Sequence, residues 1–456
     1  IVNMGNIENC IYLITLFLFE ILLFLYVWQK FDRSIFSPSI YTIGVLGFGT
    51  LLNIWCVDYW DISFHPRTFG IIALGLCMMV IAEKNAYIKR RNDSEYKMFY
   101  ISLPPMLVIS VAAYCIVATF LYFNEIRRLG LAQSLAVSEA IGNIKENFEE
   151  FEELFNPFIR QGYKIVMAIA YCFTYVFVNN YCVFKKKFLK CFWLIIPLIC
   201  SFGINILSGG RGDMIRMFLL FLFFYYINLW QATGWRKKPT KKLLKIGIPI
   251  LGIMLSIFFF SRLVVKQNIS TQKQIGGPVE YLAYYIGSPI QVLNLHVYEL
   301  EKREGANKNM TLGINTFSGF YQMLKKYGIL DAKQIKGPTV GAGMIYIGGD
   351  SNAAGNVETI FAPAHLDFSI AGMCVYIYIL YYLISYYFYR NIMYESFSRR
   401  YVKRIILFSF FYYIVEMSFY DDCQKWILCQ TGILQFICLL LLVKFIFREK
   451  YFVRES

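Results

Sequence analysis

The sequence predicts an all-α polytopic membrane protein, and composition and hydropathy are the two observations that predict it. The chain has 456 residues, of which 57% are hydrophobic and only 16% are charged, and its mean hydropathy is +0.49. Soluble chains carry about 25% charged residues. Apolar windows of roughly 20 residues, the length that crosses a bilayer core of about 30 Å, recur along the chain. Because these windows are continuous rather than alternating, they indicate helices and not a β-barrel.

The apolar runs predict about eleven transmembrane helices in a single integral membrane domain, residues 1–456. The predicted spans are 8–28, 35–57, 68–82, 98–123, 163–183, 188–207, 213–231, 243–262, 363–389, 401–418 and 426–447. The twelve cysteines lie mostly within apolar segments and form no CxxC pair. They are therefore interpreted as small core residues, and neither a disulfide framework nor a metal site is predicted.

Four short loops are strongly basic, namely 83–97, 184–190, 235–245 and 390–404. All four fall on one side of the membrane if the spans alternate, and Lys and Arg concentrate in cytoplasmic loops. The sequence therefore predicts the N-terminus outside and the C-terminus in the cytoplasm. The same rule accounts for the net charge of +15, so membrane lipids are predicted partners and nucleic acid is not.

Two long segments fall on the predicted outer side, 124–162 and 263–362. In the first, apolar residues at helical spacing predict an amphipathic helix at the membrane interface. These residues are Phe148, Phe151, Phe155 and Ile159. The second segment is rich in Gly, Tyr and Asn, and an outer loop of that size is expected to carry a function. All three histidines of the chain, His65, His296 and His365, lie on this side.

A glycine-rich turn at 207–213 separates two of the apolar spans and falls on the predicted outer side. Its glycines, among them Gly210 and Gly212, permit a tight chain reversal. The next helix is predicted to begin near Asp213, so its N-terminal N–H groups lie beside Arg211. Such an arrangement is typical of phosphate-binding sites.

Arg216 lies one turn inside that helix, where a charge needs a cavity or a partner. It is therefore a second candidate for contacting an anionic substrate. In the alternative interpretation, Asp213 caps the helix and pairs with Arg216 at i, i+3, and Arg211 anchors the helix at the interface.

A second cationic cluster, Arg262 and Lys266, ends the span before the large outer segment. Two separated clusters on one face favour an anion site, although snorkelling at a helix end explains the pair equally well. A polar cluster opens the span after that segment, with Asn356, Glu358 and His365 followed by Asp367. Either Glu358 or His365 could serve as a general base; the alternative is a capped helix start with interfacial polar residues. The chain contains no P-loop, GxGxxG or HExxH motif, so nucleotide-driven and metal-hydrolase chemistry are not predicted.

Four stretches resemble, in order and spacing, the bacterial O-antigen and oligosaccharide repeat-unit polymerases of the Wzy type. They are NILSGGRGDMIRMFLLFLFFYY, YYIGSPIQVLN, GINTFSGF and GNVETIFAPAHLDFSIAG, and together they cover roughly residues 200–375. Two positions depart from the family pattern. Related ligases carry a histidine where this chain has Gly355, and family polymerases often carry a glycine where it has Ser369.

The resemblance implies a GT-C-like polymerase or ligase architecture in the bacterial inner membrane. It implies transfer of a glycan from undecaprenyl pyrophosphate onto the next lipid-linked repeat unit, building O-antigen, capsule or exopolysaccharide. No cofactor or metal is expected, because the pyrophosphate is the leaving group and arginines stabilise its charge. The catalytic candidates that the resemblance implies are Arg211 and Arg262, with Glu358 or His365. The substrate-binding candidates that it implies are Gly210, Gly212, Arg216, Lys266, Asn356 and Asp367. The expected partners are lipid-linked donor and acceptor, with a chain-length regulator as an optional one.

Two alternatives remain open. The first is the related ligase, which attaches finished glycan to an acceptor. The second is a repeat-unit flippase, in which short loops and charges lining a central cavity would be expected. The hundred-residue outer segment and the cationic clusters on one side favour the transferase.

Overall fold

The computed structural model describes residues 4–88, 98–132, 139–141, 154–209, 211–264, 278–302, 311–330, 345–347, 354–355 and 357–453. The named helices are numbered in chain order. The first eight are α1 (Met4–Lys30), α2 (Pro38–Trp55), α3 (Pro66–Ala86), α4 (Pro105–Ala132), α5 (Pro157–Phe177), α6 (Phe188–Leu207), α7 (Arg211–Ala232) and α8 (Thr240–Val264). They are followed by α9 (Pro278–Ile286), α10 (Ser288–Lys302), α11 (Ser318–Lys326), α12 (Phe361–Tyr387), α13 (Arg399–Glu416), α14 (Gln424–Ile427) and α15 (Gln430–Ile446).

Strands are minor in the described residues. Two antiparallel pairs of two residues each are present, Tyr100–Ile101 with Phe452–Val453 and Ile345–Tyr346 with Ala354–Gly355. The prediction of an all-α protein is therefore confirmed at the level of fold class.

Seven helical segments in the described part of the chain are long and apolar enough to cross a membrane. They are Cys10–Lys30, Pro66–Ala86, Pro105–Ala132, Pro157–Val183, Phe188–Leu207, Gly212–Ala232 and Phe361–Ile392. The protein is a polytopic helical membrane protein. The other four predicted spans coincide with α2, α8, α13 and α15, and their crossing of the membrane stays a prediction.

The chain divides into two compact units. The first consists of Ile1–Ile88, Ser270–Tyr389 and Phe411–Gly432. Within it, α1 packs on α2, and α3 runs along α12. At the closest point of the second contact, a Cβ atom at Gly75 would lie 2.3 Å from the ring of Phe361. The ring of Phe361 is fully buried, so the missing side chain at 75 is what lets the two helices approach.

The second unit consists of Lys89–Ile269, Arg390–Phe410 and Ile433–Ser456. Its central helix is α5, which packs against α4, α6 and α7 and is buried from Val166 to its last residue, Phe177. The side chain of Asn156 caps α5 by accepting a hydrogen bond from the backbone N–H of Phe158, and Pro157 takes the first helical position. Both residue types are preferred there, since the side-chain oxygen satisfies an end N–H and proline has none to satisfy.

Helix α5 begins six residues earlier than predicted. The prediction of one amphipathic helix that includes both Phe155 and Ile159 is therefore wrong. One helix cannot carry both Phe155 and Ile159, because Phe155 lies in a bend and Ile159 lies in α5 beyond the Asn156 cap. The physical reason is Pro157, which disfavours helical backbone at the residue before it. Phe148 and Phe151 lie outside the described residues.

The long segment 263–362 contributes helices to the first unit. Helices α9 and α10 pack on α2, where the Asn53 side-chain amide donates a hydrogen bond of 2.8 Å to the carbonyl of Gly287. The face of α10 that includes Val292, Leu293 and Val297 is fully buried. This part of the segment therefore belongs to the core of the unit.

Candidate functional site

In the first unit, the stretches that contain Asn315 and Asp367 are joined directly. The carboxylate of Asp367 accepts hydrogen bonds from the backbone N–H and side-chain amide of Asn315 at 3.2 and 2.9 Å. It also accepts bonds from the backbone N–H and hydroxyl of Thr316 at 2.7 and 2.6 Å. Four donors on one carboxylate occupy most of its acceptor capacity. These contacts favour a structural role for Asp367, which fastens the 311–317 turn to α12.

The same turn leads into α11, which lies against α14. A Cβ atom at Gly319 would be 1.9 Å from the backbone carbonyl of Lys425, so only glycine allows the two backbones to approach this closely. The ammonium of Lys425 contacts the carboxylate of Asp421 at 2.7 Å. The N-terminal part of the stretch GINTFSGF thus contacts Asp367, and its last glycine contacts the Asp421–Lys425 segment.

Asp421 and Asp422 form a buried acidic pair beside that lysine. The Asp422 carboxylate accepts hydrogen bonds from the Tyr376 hydroxyl and from the backbone N–H of Gln424, both at 3.1 Å. Burial raises the pKa of Asp422 to about 7 and raises that of Asp421 as well. Burial acts to lower the pKa of Lys425, but the Asp421 carboxylate outweighs it and the pKa is raised. Lys425 is therefore a permanent cation near neutral pH.

Helix α10 presents a row of buried polar side chains. The Asn294 carboxamide oxygen accepts hydrogen bonds from the backbone N–H of His65 at 2.8 Å and from the hydroxyl of Thr68 at 3.1 Å. Its amide group donates to the carbonyl of Ser63 at 2.8 Å. The Gln291 amide donates to the carbonyl of Ile347 at 3.1 Å. These bonds fix α10 against the segment that precedes α3.

His296 lies on α10, and its Nδ1 atom is 2.8 Å from Oε2 of Glu358. Both residues are buried, with exposed fractions of 2% and 9%. The contact is short but lacks the alignment of a regular hydrogen bond, and within the described part of the chain Nε2 of His296 has no hydrogen-bond partner. The Glu358 segment is held by a bond of 2.9 Å from the N–H of Ile360 to the carbonyl of Ser418. A buried imidazole beside a carboxylate can accept and store a proton.

His365, the other predicted base, lies in the first turns of α12. It is 5% exposed, and its Nδ1 has no hydrogen-bond partner among the described residues. No carboxylate of the described residues lies within ion-pair distance of His365. The structure thus pairs Glu358 with His296 and not with His365.

In the second unit, the glycine-rich turn connects α6 and α7 as predicted. Gly209 has a φ of 67°, the left-handed conformation that glycine adopts without a Cβ penalty. Helix α7 begins at Arg211, two residues before the predicted start, and includes Gly212. Asp213 lies in its first turn. The predicted juxtaposition of a helix N-terminus with Arg211 is present in the backbone.

Arg216 is buried among aromatic residues of the second unit, with an exposed fraction of 6%. Its Nε donates a hydrogen bond of 2.6 Å to the hydroxyl of Tyr171. The guanidinium carbon lies 4.9 Å from the ring centre of Phe410, a cation–π distance. Asp213 contacts it at 3.8 Å, which fits the i, i+3 alternative. These contacts favour an anchoring role, and substrate binding by Arg216 stays a prediction.

The remaining predicted site residues cannot be placed in the same way. Gly210, Lys266 and Asn356 lie outside the described residues, as do the side chains of Arg211 and Arg262. Their proposed contacts with substrate stay predictions.

Sequence reasoning did not select His296, Asn294, Asp421 or Asp422 for the site. The sequence did contain a signal for His296 and Asn294. A buried helix rarely mixes Gln, Asn and His with its apolar residues unless those side chains have hydrogen-bond partners. The Asp421–Asp422 pair directly follows an apolar span, and charged residues close to a membrane span usually have a partner or a function.

The fold and the site thus define a helical membrane protein that buries a histidine–glutamate pair in its first unit. No protein-family model, curated protein sequence or solved structure matches the chain. The resemblance to repeat-unit polymerases therefore rests on the four sequence stretches alone.

Proposed function

We propose that the protein is a lipid-pyrophosphate-dependent glycosyltransferase that polymerises undecaprenyl-pyrophosphate-linked oligosaccharide repeat units. The product would be O-antigen, capsule or exopolysaccharide, made at the outer face of the bacterial inner membrane. The proposal includes about eleven transmembrane helices in a GT-C-like architecture, with the N-terminus outside and the C-terminus in the cytoplasm. Donor and acceptor are both lipid-linked glycans, and neither a metal nor another cofactor takes part.

The observation that carries the proposal is that the three stretches of the first unit that resemble the polymerase family are linked by direct contacts. Thr316 and Asp367 belong to two stretches that are separate in sequence yet hydrogen-bonded at 2.6 Å. A third stretch ends at Asn294, and the same helix continues to His296, which contacts Glu358 of the fourth. Residues that match a family only by chance have no reason to contact one another. Their contacts support the resemblance and the activity that it implies.

The chemistry divides into two tasks. The developing charge of the pyrophosphate leaving group needs cations and N–H donors, and we assign this task to Arg211 and the start of α7. Arg262 and Lys266 form the second cationic cluster of the proposal. The acceptor hydroxyl needs a base, which we assign to the polar residues of the first unit.

Replacing Arg211 by alanine tests the proposal. We expect chain elongation in vivo to be lost, since removing one charge-stabilising donor costs about 100- to 1,000-fold in rate. Membrane insertion should be unchanged, because Arg211 is the first residue of α7 and lies outside its apolar stretch. The measurement is the length distribution of surface polysaccharide, with membrane-fraction abundance as the check on insertion.

Arg127→Ala is the matched control, because Arg127 is an exposed arginine near the end of α4 with no assigned role. It should leave chain length unchanged. Full-length polysaccharide from a well-expressed Arg211→Ala protein would contradict the proposal.

The ligase and flippase alternatives differ from the polymerase in product. Purified protein in liposomes with lipid-linked repeat unit should form a longer lipid-linked glycan if it is a polymerase. A flippase would move the unit across the bilayer without a new glycosidic bond. A deletion strain separates the ligase, since loss of the ligase leaves long unattached chains and loss of the polymerase leaves single repeat units.

A further inference from the structure

The first unit holds a buried pair of proton-exchanging side chains whose geometry is that of a base and its positioning partner. We infer that His296 takes the proton from the acceptor hydroxyl, with Glu358 holding its imidazole in place. The inference rests on the proposed function and names the base of that reaction. The juxtaposition that carries it is the contact of 2.8 Å between Nδ1 of His296 and Oε2 of Glu358.

His296 combines two features, and the second of them distinguishes it from His365. Its Nε2 has no hydrogen-bond partner in the described part of the chain, so the lone pair of that nitrogen is available for a proton. A carboxylate contacts its second nitrogen, as in nucleophile–base–orienter arrangements. His365 is equally buried but is not within ion-pair distance of any described carboxylate.

Glu358 itself is the weaker base candidate because its Oε2 atom faces His296. With the proton of neutral His296 on Nδ1, the nitrogen 2.8 Å from Glu358, Nε2 is the atom that can accept a proton. The imperfect alignment of the contact does not count against this role, since catalytic hydrogen bonds often tighten only when substrate binds.

The neighbouring charges suit an imidazole that becomes positive during the reaction. Asp421 is near enough to Glu358 for the two carboxylates to interact. Lys425 lies 2.7 Å from Asp421 and balances its charge. The Glu358 carboxylate beside Nδ1 is the group that would stabilise an imidazolium on His296, as the carboxylate does in catalytic triads.

The reaction step balances without a further reagent. The acceptor oxygen forms the new bond to the anomeric carbon of the donor glycan as its proton moves to Nε2 of His296. The bond between the anomeric carbon and the pyrophosphate oxygen breaks, and its electron pair leaves with undecaprenyl pyrophosphate. The imidazolium then returns its proton to water before the next turnover.

The test uses azide, a nucleophile that attacks without losing a proton. We expect His296→Ala to lower the rate of polymer formation by about 100- to 10,000-fold, the usual contribution of a general base. Adding azide to this variant should restore release of undecaprenyl pyrophosphate and give a glycosyl azide. Arg211→Ala is the matched control and should not be rescued, because its defect is in the leaving group. His365→Ala should gain no activity from azide, and Arg127→Ala, at an exposed arginine with no assigned role, should polymerise at the wild-type rate.

Glu358→Gln tests the positioning role. It keeps the size of the side chain but removes the charge, so the kcat of polymerisation should fall while the KM for the lipid-linked donor stays unchanged. A merely structural glutamate would affect folding and donor binding, and both are followed by thermal unfolding in detergent and by donor affinity.

Three results would overturn the assignment while leaving the proposed function in place. They are full activity of His296→Ala, loss of activity that azide does not restore in a protein that still binds donor, and azide rescue of His365→Ala instead. A wild-type protein that forms no glycosidic product from purified lipid-linked repeat units would overturn the proposed function and this assignment with it.

Discussion

At the residue scale, Ser369 shows how a single departure from a family pattern acquires a physical meaning. Its backbone has φ 63° and ψ −179°, a combination that essentially only glycine adopts without strain. It lies at a kink within α12, two residues after Asp367. In the sequence, this position stands out only as a serine where the family that the chain resembles often carries glycine. The structure shows that the backbone still has the conformation that suits glycine.

Ser369→Gly should therefore stabilise the protein. This backbone conformation costs a residue other than glycine about 1–3 kcal/mol of folding stability. Glycine also makes the unfolded chain more flexible, which offsets up to roughly 1 kcal/mol of the stability gained. We expect Tm in detergent to rise. Ser369→Ala keeps the Cβ atom and is the control without a gain. A glycine variant that melts at or below the wild-type temperature would show that the kink is not strained.

At the element scale, two carboxylates connect elements that hydropathy treats separately. Glu83 accepts hydrogen bonds from the hydroxyls of Ser37, Ser39 and Tyr389, and from the backbone N–H of Ser39 at 2.7 Å. It ties the end of α3 to the start of α2, where a helix N-terminus favours a carboxylate. The predicted basic loop beginning at residue 83 is therefore wrong at its start, because α3 continues to Ala86. Glu83 is fully buried, which its position next to basic residues did not suggest.

Asp367 is the second such carboxylate, and its removal should release the 311–317 turn. Hydrogen bonds to a charged group contribute about 1.5–3 kcal/mol each, so we expect faster amide exchange at Asn315 and Thr316 in Asp367→Ala. Hydrogen exchange with mass spectrometry of the peptides covering this turn is the measurement. Thr316→Val removes one of the four bonds and should give a smaller effect. Unchanged exchange in both variants would argue that the turn is held by its other contacts.

At the scale of the whole molecule, orientation in the membrane follows from loop charge and can be tested directly. With basic loops in the cytoplasm, a fluorescent reporter inserted in 235–245 or 390–404 should fold and fluoresce. Alkaline phosphatase inserted in 303–310 should be active, since it requires the outer side. Active phosphatase in 235–245 would reverse the predicted topology and contradict the proposed location of the site at the outer face.

The spans were accessible to sequence reasoning because membrane insertion depends on local composition. A run of about 20 apolar residues is a helix in lipid whatever its neighbours are, and all seven candidate spans coincide with predicted ones. Boundaries were less accessible. Helix α4 continues to Ala132, beyond the predicted end at 123, because polar residues such as Glu125 find partners in the second unit. The Glu125 carboxylate accepts bonds from Arg128 and from the backbone of Asn156.

Only part of the candidate site, too, could be predicted from the sequence. From sequence alone came the turn at Gly209, the helix start beside Arg211 and the candidacy of Glu358, because each depends on residue type within a few positions. The partners of Glu358, Asp367 and Arg216 came only from the tertiary structure. Spacing along a helix defines which face a polar side chain occupies, but long-range packing decides which group meets it there. That is why His296 meets Glu358 only once α10 is packed in place.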